Sequence, residues 1–127
     1  MPSYFIACYP RPADGKYRFD LDYYLKTHMP MQMEHHRPYG MRSYHVVKCT
    51  EESPYVIQTI EYWDDLEKMT EALDHSMEYP LKVLWDDIAV YTDIKNAFAI
   101  KGEIQGCWAD DGLSRELWLA KGNKHSL

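Results

Sequence analysis

Basic side chains are in the minority in this sequence. Lysine and arginine number 14 against 20 aspartate and glutamate residues, which gives a net charge of -6. Nucleic acids and anionic membranes are bound by basic side chains gathered on one face, so we expect neither kind of partner. No apolar run approaches the length of a membrane span, and the opening run SYFIACY is strand-like rather than a secretory leader. These absences favour a cytoplasmic protein.

Cysteine is scarce as well. Cys8, Cys49 and Cys107 are odd in number, lie far apart and include no CxxC pair. We therefore expect small buried hydrophobic residues in a reducing compartment, rather than a disulfide, a metal site or a nucleophile. The sequence also lacks a phosphate-binding glycine loop, a serine-centred nucleophile elbow and a nucleotide fingerprint. No cofactor is expected.

The sequence is long enough for one domain and is rich in aromatic residues. A length of 127 residues allows a real core, yet pairing with a second copy would help to cover apolar surface. The 11 tyrosines and 4 tryptophans are a heavy load for this length. Such residues fill cores and interfaces, and some can line a pocket for a flat ligand.

The order of predicted elements is strand, helix, two strands, helix, strand. The strands span 3–9, 41–49, 55–63 and 97–107. One helix begins after Asp20, a second is capped by Asp64 and ends near His75, and a short extra helix runs from near Tyr79 to Asp86 or Asp87. This order predicts an α+β fold of the ferredoxin-like, split βαβ type, in which a four-stranded antiparallel sheet carries both helices on one face.

The first strand is apolar on both faces. Tyr4, Ile6 and Cys8 share one face, and Phe5, Ala7 and Tyr9 share the other. Helices can cover only one side of such a sheet, so we expect the sheet of a second subunit to cover the other. The sequence thus predicts a homodimer.

The best candidate for a catalytic side chain, His28, lies in the stretch FDLDYYLKTHMPMQMEHHRPYG, residues 19–40. Helical spacing places Leu21, Tyr24 or Leu25, His28, Met31 or Gln32, and His35 on one mostly apolar face. Pro30 cannot donate to the carbonyl of Lys26, so the helix should bend or end near His28. Pro38 and Gly40 should stop it outright.

His28 permits two interpretations. An imidazole on an apolar helix face is often a core residue with one hydrogen bond and no further role. Burial also holds an imidazole neutral, and a neutral imidazole is a base near pH 7. Metal binding by His28, Gln32, His35 and His36 is not expected, because the adjacent pair 35 and 36 diverges and no carboxylate completes a set on that face.

The run YPRPADGKYRFDLDYYLKTHMPMQ resembles the opening signature of the EthD family, with its Asp-Tyr-Tyr-rich helix, a His-Met-Pro step at residues 28–30 and a following glycine, Gly40. The segment DDIAVYTD is similar to the family's aspartate-bearing stretch before the final strand. The resemblance matches Asp87 to that aspartate, with Asp86 as the competing choice. Met31 departs from the family, which commonly has leucine there.

The resemblance implies a dimeric α/β barrel in which two ferredoxin-like subunits join sheet to sheet, each with a small-molecule cavity between sheet and helices. It covers most of residues 3–107, so we divide the chain into a domain at 1–107 and an extension at 108–127 that packs on the body or on the partner subunit. Family members include proteins similar to cofactor-free dehydratases, cyclases and decarboxylases of aromatic polyketides.

In such a cavity a neutral His28 could take a proton from a carbon next to a carbonyl. Asp87 could orient the ring and fix its tautomer, and Tyr91 could supply a hydroxyl where negative charge develops. Further candidates for contacts with the substrate are Tyr24, Tyr55, His45 and Met31.

Three functions remain open from the sequence. The first is a cofactor-independent lyase or cyclase that dehydrates, cyclises or decarboxylates an aromatic or polyketide-derived molecule, with His28 as general acid or base. The second is a non-catalytic dimeric carrier of a hydrophobic small molecule, because an aromatic lining serves binding equally well. The third is a cofactor-free oxygenase.

Overall fold

A computed structural model describes residues 1–108 of the chain, and the extension predicted from residue 108 onward lies outside the described residues apart from Trp108. Four antiparallel strands form one sheet in the order β2-β3-β1-β4. The strands are β1 (Ser3–Pro10), β2 (Met41–Lys48), β3 (Tyr55–Trp63) and β4 (Phe98–Glu103). The α+β, ferredoxin-like fold predicted from the sequence is confirmed.

β4 is shorter than the predicted strand 97–107. Its last residue, Glu103, pairs with Ser3, the first residue of β1. The next amide, that of Ile104, donates to the carbonyl of Pro2 at 2.9 Å, beyond the start of β1. The ladder therefore ends because its partner strand ends.

The two faces of the sheet differ in burial. Phe5 pairs with Glu61, Ala7 with Thr59 and Tyr9 with Ile57, so these pairs share one face, which we call the inner face. The inner residues of β3 are all buried: Ile57, Thr59, Glu61 and Trp63. The opposite, outer face exposes large apolar side chains from three strands, namely Tyr4, Val47, Phe98 and Ile100.

The first helical segment changes its hydrogen-bond pattern along its length. It starts as α1 (Leu21–Tyr23), widens to a π-helical turn (Tyr24–His28) and continues as α2 (Met29–His36), followed by a 3-10 turn (Arg37–Tyr39). The carboxylate of Asp20 accepts from the amide of Tyr23 at 3.0 Å, as the predicted cap requires.

The expected bend or end at His28 is replaced by the π-helical turn. Pro30 has no amide hydrogen to donate to Lys26, and the amide of Met29 donates to Tyr24, five residues back. The wider turn accommodates the proline, so the helix runs on to His36. The left-handed conformation of Gly40, with φ 103°, then ends the segment.

The second helix, α3 (Leu66–Asp74), is capped by Asp65 rather than by the predicted Asp64. The carboxylate of Asp65 accepts from the amide of Lys68 at 3.3 Å. Asp64 instead accepts from the Arg42 guanidinium at 2.6 Å, because its side chain is directed toward β2. The helix boundary thus lies one residue later than the sequence suggested.

Two short helices, α4 (Lys82–Asp86) and α5 (Ile88–Tyr91), replace the single one that was predicted. The guanidinium of Arg18 donates to the carbonyls of Ala89 and Val90 at 2.9 and 2.8 Å. The amide of Asp20 donates to the carbonyl of Tyr91 at 2.7 Å. These bonds fix α5 to the beginning of the first helical segment and so set the position of Asp87, which joins α4 to α5.

No helix among residues 1–108 is long and apolar enough to cross a membrane.

Candidate active site

A cavity of about 270 Å³ lies between the inner face of the sheet and the helices. Phe5 and Ala7 of β1 and Leu84 of α4 are among its apolar lining residues. The polar side chains of its wall are Tyr9, Tyr24, His28, Gln32, His36, Glu61, Ser76 and Tyr91. No lysine or arginine of residues 1–108 is among the lining residues, so the wall offers no permanent positive charge to a ligand.

His28 is the last residue of the π-helical turn and is 4% exposed. Its Nδ1 donates to Oδ2 of Asp87 at 2.9 Å. The other carboxylate oxygen of Asp87 accepts from the Tyr23 hydroxyl at 2.7 Å. The carboxylate is thus held from two sides, and the imidazole is oriented by it.

The electrostatics of His28 combine two opposing effects. Burial lowers the pKa of the imidazole, and the hydrogen bond and charge of Asp87 raise it by a smaller amount. The pKa therefore lies below the ordinary value for histidine, so the ring is neutral at pH 7. Since Asp87 accepts the Nδ1 proton, Nε2 is the nitrogen left with a lone pair. A neutral base of this kind can accept a proton from a ligand in the cavity.

Three tyrosines surround the imidazole. The ring of Tyr24 stacks parallel to that of His28 with centroids 5.4 Å apart, and the Tyr91 ring lies 4.6 Å away at an angle of 55°. The hydroxyls of Tyr9 and Tyr91 are 2.7 Å apart, and the Tyr24 hydroxyl is 2.6 Å from that of Thr59. Burial raises the pKa of all three phenols, so they remain protonated donors.

A second polar group lies on the sheet side of the cavity. Glu61 of β3 is 1% exposed. Its Oε1 accepts from the indole of Trp63 at 3.1 Å, and its Oε2 is 2.6 Å from the amide nitrogen of Gln32. Burial raises the pKa of this carboxyl to about 7, and the hydrogen bonds from Trp63 and Gln32 lower it by a smaller amount.

The sequence analysis did not single out Glu61, although a signal for it exists. In the run YVIQTIEYW, Glu61 follows Ile57 and Thr59 at a spacing of two and precedes Trp63 on the same face. A carboxylate on the buried face of a strand costs free energy unless it is paired, which makes it a candidate for function. Tyr23 was also missed, because nothing local indicates its contact with Asp87.

His36 is a third buried polar residue of the wall. Its ring packs against that of Trp63 at 5.1 Å. Burial is the main effect that lowers its pKa to about 4, and the neighbouring His35 and His28 act in the same direction. His36 is therefore neutral at pH 7.

The structure brings four of the sequence-derived candidates together: His28, Asp87, Tyr24 and Tyr91. It does not bring Asp86 to the site, because that carboxylate is exposed and paired with Lys82 at 3.3 Å. Asp87 is thus the aspartate that contacts His28.

Three further candidates lie elsewhere. His45 is exposed on β2 opposite Ile60, on the outer face, because strand alternation turns it away from the helices. The Tyr55 ring packs against Phe98 at 5.9 Å and is not among the lining residues. Met31 is not among them either, since the helix turns it away from the row formed by His28 and Gln32.

Within residues 1–108, no group of three or more histidine, cysteine, aspartate or glutamate side chains is arranged to hold a metal ion. The histidines that follow His28 on the helix have separate surroundings. His35 Nδ1 bonds to the carbonyl of Met31 at 2.8 Å, whereas His36 packs on Trp63.

Comparison of this geometry with known structures identifies similar proteins. An EthD-like protein from Ralstonia eutropha JMP134 is 26% identical and matches with a TM-score of 0.67, covering 87% of this chain and 96% of its own. An ethyl tert-butyl ether D (EthD) family protein from Bacillus halodurans C-125 is 22% identical with a TM-score of 0.56, covering 83% of this chain and 100% of its own. The chain has the EthD-like fold.

Other comparisons are less informative about this EthD-like chain. A dimeric ferredoxin-like protein from an uncultured marine organism matches with a TM-score of 0.50 and 8% identity, covering 84% of this chain and 96% of its own. No protein-family model and no curated protein matches the chain. The EthD-like fold accounts for the sheet, the helices and the cavity between them, and the chemistry has to be argued from the side chains.

Proposed function

We propose that this EthD-like protein is a cofactor-independent lyase or cyclase, in which His28 removes a proton from a carbon next to a carbonyl of an aromatic or polyketide-derived molecule. The observation that carries the proposal is the 2.9 Å bond from His28 to Asp87 at the wall of an apolar cavity. A carboxylate on one ring nitrogen fixes the tautomer that presents the other nitrogen as a base.

Stabilisation of the resulting enolate is supported by the tyrosine hydroxyls. Tyr9 and Tyr91 share one hydrogen bond at 2.7 Å, so at most one of the two protons is used between them. The second proton is available to an oxygen that gains negative charge. Donors already in place cost no reorganisation during the reaction.

The lining favours two of the three reactions that the sequence suggested. Decarboxylation needs a carboxylate substrate, and no lysine or arginine among residues 1–108 lines the cavity to pair with one. Loss of water and aldol cyclisation act on neutral hydroxy and keto groups. We therefore propose dehydration or aldol cyclisation of a neutral substrate.

The test measures proton abstraction directly. The probe is the neutral β-hydroxy ketone formed by aldol addition of acetone to benzaldehyde, which carries one aromatic ring and an acidic carbon between its two oxygen groups. Deuterium uptake from heavy water at that carbon, followed by NMR, reports the base. We expect His28→Gln to lower the catalysed exchange rate by about 100-fold or more, because general-base catalysis contributes 10²–10⁴-fold.

His75→Gln is the matched control, because His75 is exposed and paired with Glu78. It should leave the exchange rate unchanged. Equal rates for wild type and His28→Gln would refute the role of His28. Binding of the ketone without any exchange by the wild type would instead support a carrier.

We also propose that the protein is a homodimer joined sheet to sheet. The outer face exposes Tyr4 of β1, Phe98 and Ile100 of the adjoining β4, and Val47 of β2, with β3 between β2 and β1. Exposed apolar side chains gathered on one face are typical of an interface. The ferredoxin-like protein from the marine organism, which has a similar fold, is itself dimeric, and this supports pairing of two copies.

A further inference from the structure

We propose that Glu61 is the proton donor of the cavity and gives its proton to the leaving hydroxyl of a neutral β-hydroxy carbonyl substrate. This inference rests on the proposed function and assigns the second half of the proton transfer, for which His28 alone is insufficient. A base that takes a proton from carbon does not by itself expel hydroxide from the neighbouring carbon.

The position of Glu61 is the first argument. The side chain lies on the inner face of β3 and lines the same cavity as His28. Gln32, which contacts Glu61 Oε2, follows His28 by four residues and therefore lies one turn further along the same helix face. One turn of α-helix rises about 5.4 Å, so Glu61 meets the helix about one turn beyond His28, and both side chains line the same cavity.

No lysine or arginine of residues 1–108 lines the cavity beside Glu61. In register beside it stand Phe5 of β1 and Tyr44 of β2, and neither carries a positive charge at neutral pH. On the helix side Gln32 contacts it, and the neutral ring of His36 packs on Trp63. The other titratable side chains of this wall, His28 and the three tyrosines Tyr9, Tyr24 and Tyr91, are neutral as well.

Because burial is not offset by a cation, the pKa of Glu61 rises to about 7. Close to half of the molecules then hold the proton at pH 7. An acid whose pKa lies near the working pH is protonated in a large share of the molecules, and its carboxylate readily takes up a proton again after the reaction.

The contact with Gln32 fits a protonated Glu61. The 2.6 Å separation is short for a neutral N–H···O bond and ordinary for an O–H···O bond. Reversing the Gln32 amide, whose oxygen and nitrogen have the same shape, places its oxygen on Glu61 Oε2. A protonated Oε2 then donates to Gln32 until a substrate hydroxyl takes its place.

The step balances without a co-reactant. Nε2 of His28 takes the proton from the carbon next to the carbonyl, and the electron pair is held as the enolate. When the enolate re-forms the carbonyl, that pair forms the carbon–carbon double bond and the carbon–oxygen bond of the neighbouring carbon breaks. The departing oxygen takes the proton of Glu61 and leaves as water. After product release, the imidazolium returns one proton through solvent to the Glu61 carboxylate, which restores the starting state.

The test separates the two roles by using the same β-hydroxy ketone probe. Loss of water from it gives a conjugated aromatic ketone whose ultraviolet absorbance is followed, whereas deuterium uptake reports His28 alone. We expect Glu61→Gln to lower the rate of water loss by about 100-fold and to keep deuterium uptake within a few-fold of wild type. Glu34→Gln is the control, since Glu34 is an exposed glutamate on α2.

A second measurement addresses the proton itself. With a pKa of about 7 when folded and 4.5 when unfolded, Glu61 lowers the free energy of unfolding as pH rises between these values, because the folded state binds more protons there. His36 acts with the opposite sign in both proteins, so the informative quantity is the wild-type value minus that of Glu61→Gln. This difference should fall over that pH range, in urea unfolding at each pH.

The outcomes are distinct. Deuterium uptake without any effect of Glu61→Gln on water loss, or a stability difference that does not change with pH, overturns the role of Glu61 and leaves His28 in place. Absence of deuterium uptake by the wild type refutes the proposed function, and the inference about Glu61 with it.

Discussion

At the scale of the residue, burial accounts for the neutral state of His28, and its contact with Asp87 accounts for the orientation of the ring. Burial alone would leave a neutral ring free to place its single proton on either nitrogen. The Asp87 carboxylate accepts from Nδ1, and the Tyr23 hydroxyl holds that carboxylate in place at 2.7 Å. The tautomer with a free Nε2 follows from these two bonds.

We predict that Asp87→Asn lowers the rate of deuterium uptake by about 10-fold or more while the ketone still binds. An asparagine can offer Nδ1 either its oxygen or its amide group, so the tautomer is no longer fixed. Asp86→Asn, one residue earlier and exposed, is the control and should behave as wild type. An unchanged rate in Asp87→Asn would show that the carboxylate has no role in the reaction.

Whether the sequence analysis found a site residue depended on whether neighbouring residues in the sequence mark it. His28 stands out within its own helix, because it interrupts an apolar face next to a proline. Asp87 required the family resemblance, since 59 positions separate it from His28. Glu61 was overlooked because the strand pattern left open which face of the sheet meets the helices. Only the three-dimensional structure settles that choice.

At the scale of the element, the π-helical turn determines where His28 points. Pro30 removes one α-helical hydrogen bond, and the turn from Tyr24 to His28 widens in response. Widened turns of this kind occur often at functional sites. The sequence correctly marked this position as irregular, but a missing donor is compatible with a kink, an end or a wider turn, and packing decides among them.

We predict that Pro30→Ala restores a donor for the carbonyl of Lys26 and favours a regular α-helix through this position. A regular helix would rotate His28 relative to Asp87, so deuterium uptake should fall by about 10-fold. The free energy of unfolding should change by only about 1 kcal/mol, because the proline is exposed. Pro38→Ala, in the 3-10 turn, is the control. Unchanged uptake in Pro30→Ala would show that the π-helical turn does not position the base.

At the scale of the whole molecule, one face of the sheet lines the cavity and the other is the proposed dimer interface. The inner face forms the cavity wall with Phe5, Ala7 and Glu61, and the outer face presents apolar side chains from strands β1, β2 and β4. The four-stranded antiparallel sheet with helices on one face was predictable from the order of elements, whereas the face of β3 that meets the helices was not. The lengths of β4 and of the helices after Tyr79 were not, because they depend on where partner strands end and on contacts such as those of Arg18.

We predict that Ile100→Lys converts a homodimer into monomers. Ile100 is half exposed on the outer face, and a lysine there would bury an unpaired charge in the proposed interface. Sedimentation at several protein concentrations measures the change. Leu25→Lys, an exposed leucine on the helical side, should leave the dimer intact. A wild type that sediments as a monomer at all concentrations would exclude the sheet-to-sheet arrangement.

The most direct test of the account is a nitrogen NMR titration of the His28 ring in the full-length protein, with His28→Gln used for assignment. At pH 7 we expect a neutral ring with its proton on Nδ1 and a lone pair on Nε2, and a titration midpoint below the ordinary value of 6.5. A ring with its proton on Nε2, or a midpoint above 6.5, would contradict the claim that a buried, carboxylate-held imidazole is the base of this cavity.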